Sequence, residues 1–482
     1  MAEPALNSSI QCSMLVHHPQ QIAAWHHGRG VSADQFFQDV AKLAAQLPEM
    51  KQVINLCDDR YHFAVSFAAA IVRQQITLMP SNNTPGAVNS LLQDWGDSYC
   101  LTDQYQNSIQ AKQLLFNDLL QLESDSSLPL PQQIDPGQQV AVLFTSGTTG
   151  VPKANPKTWG ELKSEADSAL ARFPFLSRSV SSLVATVPAQ HMYGLATSIF
   201  FPWQGGIAVH TGRPLFPADI ASALALTSAP RALITTPLHL RACLDAGISW
   251  PEISFIISAT APLTRELAAE VEQQLQTEVY EIYGSTETGS IASRRTLKED
   301  IWKLYEGISL IEDENQTFAK GGHLPQPVPL NDNIEILGKK RFLLRGRDND
   351  MLKIAGKRAS IGDLNQKLLE IPGIIDAVFV PPADHNNEKQ RLTALVVAPS
   401  LTKQHILTTL SQSIDAAFLP RPLYFVESLP RNSTVKLPRQ ESYSCRITHK
   451  HRKCLTLSYS ATTRIISGFN SRYPGRVLPE NI

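Results

Sequence analysis

Residues 53–80 read VINLCDDRYHFAVSFAAAIVRQQITLMP. VINLCD (53–58) is a short apolar run closed by two aspartates, the pattern of a buried strand. HFAVSFAAAIVRQ (62–74) carries small and apolar side chains on most faces and predicts a helix packed on more than one side. ITLMP (76–80) is again a short apolar run, ended by proline, and predicts the next strand. Strand, helix, strand in that order predicts a parallel pair with its crossover helix, hence an α/β fold with helices covering the sheet faces. The rhythm recurs. SLVATVP (182–188), ALITTP (232–237) and FIISAT (255–260) read as strands, and TRELAAEVEQQL (264–275) as a helix after them. No fixed-period repeat and no low-complexity tract interrupts it.

Further along, IEILGKKRFLL (334–344) alternates like two antiparallel strands around a Gly-Lys turn. A short α+β pattern follows. IGDLNQKLLEI (361–371) is amphipathic, DAVFVPP (376–382) and LTALVVAPS (392–400) read as strands, and LTKQHILTTLSQSI (401–414) as a helix. The expected organisation is a large multi-sheet α/β domain over 1–349, a small α+β domain over 350–440, and an atypical basic tail over 441–482. The tail contains HKHRK at 449–453, shows no sustained period and is expected to be poorly ordered; a C-terminus read in a shifted frame is one further reading of it.

Composition narrows the function. Lys+Arg number 43 and Asp+Glu 44 in a chain of 482 residues, so no large basic surface is expected and nucleic acid is not an expected partner. The 6 cysteines form no CxxC pair, which argues against a zinc ribbon or disulfide scaffold. The first residues lack a basic and an apolar signal region, and no apolar run approaches the roughly 20 residues of a membrane span. A cytoplasmic setting is the expectation.

The segment richest in chemistry is AVLFTSGTTGVPKANPKTW (141–159). An apolar strand feeds into Thr145, Ser146, Gly147, Thr148, Thr149 and Gly150, and Lys153 follows. Glycines let backbone N–H groups approach a ligand, hydroxyls add donors, and the lysine adds charge, so the loop suits a polyphosphate. It is neither a Walker A loop nor a GxGxxG loop, because Gly147 and Gly150 are only three residues apart and no second glycine spacing fits.

This loop resembles the phosphate-loop signature of the adenylate-forming superfamily, which includes acyl-CoA synthetases, aryl-acid ligases and peptide-synthetase adenylation domains. Three more segments resemble the family's motifs in the same order. Tyr283-Gly284-Ser-Thr286-Glu287 resembles Y-G-x-T-E, which implies adenine stacking on Tyr283, with Gly284 alongside, a phosphate contact at Thr286 and Mg²⁺ at Glu287, with Thr148 as a second metal contact. An aromatic face suits a purine, and a carboxylate suits a hard cation. Arg347 to Gly356 resembles G-R-x-x-D-x-I-K-x-x-G, which implies a ribose or phosphate contact at Arg347, an interdomain hinge at Asp350 and a thiol-tunnel strand at Gly356. Pro430 to Arg439 resembles P-x-x-x-x-G-K-x-x-R, which implies that Lys436 contacts the carboxylate and α-phosphate, although Val435 replaces the glycine.

Weaker resemblances fill in the site. Asp332 matches the position of a ribose-binding aspartate, although the Thr-Gly before it is replaced by Leu330-Asn331, and Trp302 reads as core. Ser258 to Leu263 resembles an adenine-side stretch in which Thr260 stands where glycine is usual. His191, Tyr193 and Gly194 fall in a P-x-x-H-x-x-G-L segment that implies an acid pocket, to which His239 is added as a lining candidate. The resemblance covers 141–439 and extends by rhythm alone over 1–130. It implies ATP and Mg²⁺, a small carboxylic acid as substrate, and a thiol acceptor, either CoA or the phosphopantetheine of a carrier protein. The implied activity is an AMP-forming acid–thiol ligase. Alternatives are adenylation for a non-thiol acceptor, or an impaired nucleotide-binding protein. Oligomeric state is left open.

Overall fold

The computed structural model describes residues 14–121, 128–145, 153–173, 181–313, 316–347, 351–354, 357–380, 392–429, 443–445 and 455–457. Two sheets dominate. One has 11 strands and the other 6. In the smaller sheet, strand Gln52–Asn55 lies between parallel neighbours Ile76–Met79 and Ser98–Thr102. Ile76–Met79 in turn pairs in parallel with Gln139–Thr145. The larger sheet has a parallel centre, in which Ser182–Ala185, Arg231–Thr235, Phe255–Ser258 and Glu278–Ser285 follow one another. Antiparallel strands, including Asp332–Gly338 paired with Arg341–Arg347, extend one edge. The mostly parallel α/β architecture expected from residues 53–80 is the one found.

The helix Arg60–Val72 shows why that segment reads as it does. Asp59 caps it by accepting from the backbone N–H groups of Tyr61 and His62. All of its residues except His62 and Val72 are buried, because it packs on strands of the smaller sheet on one side and on helix Ala33–Gln46 on another. Phe67 meets Phe200 and Trp203 at ring separations of 6.2 and 6.1 Å, and Trp159 meets Phe200 at 5.5 Å. These rings join the two sheets into one apolar cluster. At the head of the helix the fully buried Arg60 donates to the carbonyls of Ala185 and Val187 and to Ser198 Oγ. Burial pulls its guanidinium down to about 10, so the charge persists at neutral pH and is spread over protein acceptors.

Residues 361–425 build a second core, with Leu364, Leu368, Phe379, Val396, Ile406 and Leu410 at its centre. Strands Asp376–Val380, Thr393–Val397 and Leu423–Phe425 form its sheet, covered by helices Ile361–Leu369 and Lys403–Leu410. The proposed hinge Asp350 and tunnel residue Gly356 lie outside the described residues, as does Lys436. In the tail, Tyr443–Cys445 pairs antiparallel with Leu455–Leu457. No helix among the described residues is long and apolar enough to cross a membrane.

Two imidazoles are held neutral by burial. His17 and His239 are each lowered from 6.5 to about 4. Both bind fewer protons folded than unfolded, so their contribution is complete above pH 6.5 and is lost as pH falls toward 4. The expected loss is on the order of 1 kcal/mol each by about pH 5.5. Urea midpoints measured from pH 7.5 downward should show it, and His17→Asn should flatten that dependence.

Candidate active site

The carboxyl ends of the parallel strands from both sheets open onto one cavity of about 310 Å³. Such an edge is where α/β sheets bind ligands. Thr145 enters from the smaller sheet, Ala259 and Thr260 from the larger, and Ile282, Gly284, Ser285, Thr286, Gly289 and Ser290 from the turn that ends the parallel run. His191, Met192 and Tyr193 form another wall.

The phosphate loop itself, Ser146 to Gly150, lies outside the described residues, but its ends are fixed. Gln139–Thr145 and Lys153–Thr158 pair antiparallel, with Thr145 and Lys153 as register partners. The chain therefore leaves and re-enters the sheet at one point on the cavity rim. There the Lys153 ammonium stands 3.8 Å from Glu287 Oε1. The implied phosphate lysine and the implied metal carboxylate are thus neighbours.

The turn carrying Thr286 and Glu287 has almost no slack. A Cβ at Gly284 would stand 2.1 Å from the Gly289 carbonyl oxygen, and one at Gly289, where φ is +63°, would stand 2.3 Å from Glu165 Oε2. Two side chains that the sequence reading did not single out hold this turn. Glu165, 2% exposed on helix Trp159–Arg172, accepts from Ser290 N at 2.6 Å and from Ser290 Oγ at 2.5 Å. Lys157, 7% exposed, donates to the Glu287 carbonyl at 2.9 Å. The signal for Glu165 was its spacing: it lies three residues after Leu162 and four before Ala169, both buried on the same helix.

The nucleoside candidates converge. Tyr283 donates to Asp332 Oδ2 at 2.7 Å, and Asp332 is the register partner of Arg347 across two antiparallel strands. Asp332 is thus brought beside Tyr283 and in register with Arg347, although the Thr-Gly before it is missing. Behind Tyr283, Trp302 is 3% exposed and 5.6 Å away ring to ring, a core position as expected. Thr260 lines the cavity with φ +79°, a conformation that a β-branched residue adopts only under strain, and its buried Oγ1 makes no hydrogen bond among the described residues.

The acid-pocket candidates divide. His191 and Tyr193 line the cavity. The Tyr193 hydroxyl faces the sheet, 3.1 Å from the carbonyls of Thr235 and Ile257, so the ring and not the hydroxyl is offered to a ligand. Gly194 and His239, like Lys153, Tyr283, Glu287 and Asp332, are not among the cavity's lining residues. Gly194 is a close-packing residue, since a Cβ there would stand 1.9 Å from the Pro188 carbonyl oxygen. His239 Nδ1 sits 3.0 Å from both Thr186 Oγ1 and Thr236 Oγ1, beside the larger sheet.

The sequence profile of the AMP-binding enzyme family matches residues 15–339. The chain belongs to this family. The match reaches back over the N-terminal stretch where rhythm alone had suggested it. A 4-coumarate--CoA ligase of Rhodobacter capsulatus is 29% identical over 294 residues, 60% of this chain and 72% of that protein. The fatty acid--[acyl-carrier-protein] ligase ScoC of Streptomyces coeruleorubidus is 23% identical over 359 residues, covering 65% and 68%. Among solved structures, the O-succinylbenzoate coenzyme A synthetase MenE of Bacillus subtilis in complex with AMP superposes with a TM-score of 0.76 at 16% identity, over 87% of this chain and 94% of that one. The shared architecture is that of this α/β fold. Another structure of the same enzyme holds ATP and a magnesium ion, with a TM-score of 0.74.

Replacing Glu165 tests the turn. Glu165→Leu leaves the buried Ser290 N–H without its acceptor and should cost about 2–3 kcal/mol of stability. Urea unfolding would measure it; a change below about 0.5 kcal/mol would show that Glu165 does not hold the turn.

Proposed function

We propose that this chain is an AMP-forming acid–thiol ligase that works in the cytoplasm, where buried free cysteines such as Cys57, Cys100 and Cys243 persist. The observation that carries the reading is the 3.8 Å approach of Lys153 to Glu287 at the mouth of a cavity lined by strand ends. It joins a cation for phosphate to a carboxylate suited to a hard metal. Family membership adds the expected order of events.

In this reading Thr145, Ser146, Gly147, Thr148, Thr149, Gly150 and Lys153 hold the phosphates of ATP. Tyr283, Gly284, Asp332 and Arg347 position the nucleoside, with Thr260 beside it. Glu287 and Thr148 offer oxygen donors that suit Mg²⁺, which when bound neutralises phosphate charge. The substrate carboxylate enters beside His191 and the ring of Tyr193. Its oxygen forms a bond to the α-phosphorus while the bond to the β-phosphate oxygen breaks, giving acyl-adenylate and pyrophosphate. Thr286 bonds an α-phosphate oxygen, and Lys436 stabilises the charge that builds there. A thiolate then attacks the acyl carbon, and AMP leaves with the electron pair of the mixed-anhydride C–O bond. The small domain turns about Asp350 between the two steps, bringing Gly356 to the thiol path.

The walls Leu143, Phe144, Met192, Tyr193 and Ile282 are apolar or aromatic and favour an aryl or short acyl acid. CoA is the favoured acceptor, supported by the CoA-ligase relatives, and a carrier-protein pantetheine is the second. AMP formation with a panel of aryl and acyl acids, run with CoA, with holo-carrier protein and with neither, tests both steps. Thioester formation with one thiol is expected, and Lys436→Ala should slow AMP formation by about 100-fold or more. Acid-dependent AMP release that no thiol captures would overturn the acid–thiol assignment.

A further inference from the structure

A second group of metal-type side chains lies apart from Glu287. His26 ends strand Ile22–His26, and Asp59 and His62 stand at the start of helix Arg60–Val72. One donor atom from each of the three lies within 4.8 Å of the others. Their side chains are 12–20% exposed, so a small ion can reach them from solvent while most of its surroundings are protein.

The neighbouring groups orient these donors. His62 Nδ1 is 2.5 Å from Asp103 Oδ1. A carboxylate only accepts, so this nitrogen carries the proton and Nε2 keeps its lone pair. Asp103 is fixed in turn: its Oδ2 accepts from the backbone N–H of Asp58 at 2.7 Å and of Asp59 at 2.9 Å. A carboxylate behind a ligating histidine is the arrangement that orients imidazoles on metals. His26 Nδ1 is 3.0 Å from Thr211 Oγ1 and 3.8 Å from Asp59 Oδ1. Asp59 uses Oδ1 as the helix cap, and its remaining lone pairs are available to a cation. The nearby cation Arg60 does not fill the gap, because it is committed to Ala185, Val187 and Ser198.

We propose that His26, Asp59 and His62 form a site for a borderline divalent transition ion of the zinc type, oriented by Asp103. Two imidazoles and one carboxylate match that class, and leave a fourth position to water. Bonds of about 2.1 Å bring ligand atoms to about 3.4 Å from one another. The side chains therefore close by about an ångström on binding, within the reach of a χ adjustment. The site is distinct from the Mg²⁺ donors of the reaction, which are oxygen-based and sit on the turn at Glu287. It clamps the first strand to the start of the helix, two residues from Cys57, whose carbonyl accepts from Gln190 on the cavity wall.

The test is titration of the EDTA-treated full-length chain with Co²⁺ and then Zn²⁺. The proposal expects one equivalent of Co²⁺ with the visible absorption of a low-symmetry nitrogen–oxygen site, displaced by Zn²⁺, and a rise in melting temperature on binding. His62→Gln and His26→Gln should each weaken binding by at least about 10-fold, and Asp103→Asn by about 10- to 100-fold, with circular dichroism showing each variant folded. Absence of saturable Co²⁺ binding by the folded wild type would overturn the proposal. Binding of unchanged affinity in the folded His26→Gln and His62→Gln variants would also overturn it, because the ion would then sit elsewhere.

Discussion

The segment that follows the phosphate loop grips the turn opposite it. Lys157 and Glu165 come from the strand and helix leading out of the loop, and they hold the Glu287 carbonyl and the Ser290 N–H and hydroxyl. The turn belongs to the 11-stranded sheet, while Lys157 belongs to the 6-stranded one. Charge-assisted hydrogen bonds buried between two sheets are short-ranged and directional, so they fix the sheets in relative position far more tightly than apolar packing does. The consequence is chemical. Lys153 and Glu287, borne by different sheets, end up face to face on the cavity rim. Gly284 and Gly289 are the cost of that closeness, since neither position has room for a Cβ.

A second constraint operates deeper. Arg60 bridges the first crossover helix to the carbonyls at the end of Ser182–Ala185, and the Phe67, Phe200, Trp203 and Trp159 rings fill the space beside it. Polar ties at the cavity edge and an apolar layer behind it divide the work. The layer supplies stability through buried area, and the ties set register. Leu364, Phe379 and Ile406 belong to a second core of their own.

Much of this was legible from residues alone. Short apolar runs and their spacing identified the parallel strands, because a strand buried on both faces needs nothing but apolar side chains. Motif order singled out Tyr283, Asp332 and Arg347, and the fold bonds Tyr283 to Asp332 and sets Asp332 in register with Arg347. What escaped was charge working inside the fold. Glu165 sits among Glu161, Lys163 and Asp167, so its helix reads as polar, and only its offset from Leu162 and Ala169 marks the buried face. Lys157 lies in KANPKT (153–158), where no apolar alternation marks a buried position. Gly194 was grouped with the acid pocket by its motif and His239 as a separate lining candidate; in the fold His239 meets two threonines and Gly194 packs closely on backbone. A motif names residue types, but which way each side chain turns is decided by partners remote in sequence.

The central claim is that the cavity between the two sheets forms an acyl-adenylate. Acid-dependent exchange of labelled pyrophosphate into ATP measures that step without requiring a thiol. The account predicts exchange that needs Mg²⁺ and one class of carboxylic acid, and that falls by at least about 100-fold in Lys153→Ala or Glu287→Gln. ATP binding without exchange across aryl and acyl acids would contradict it.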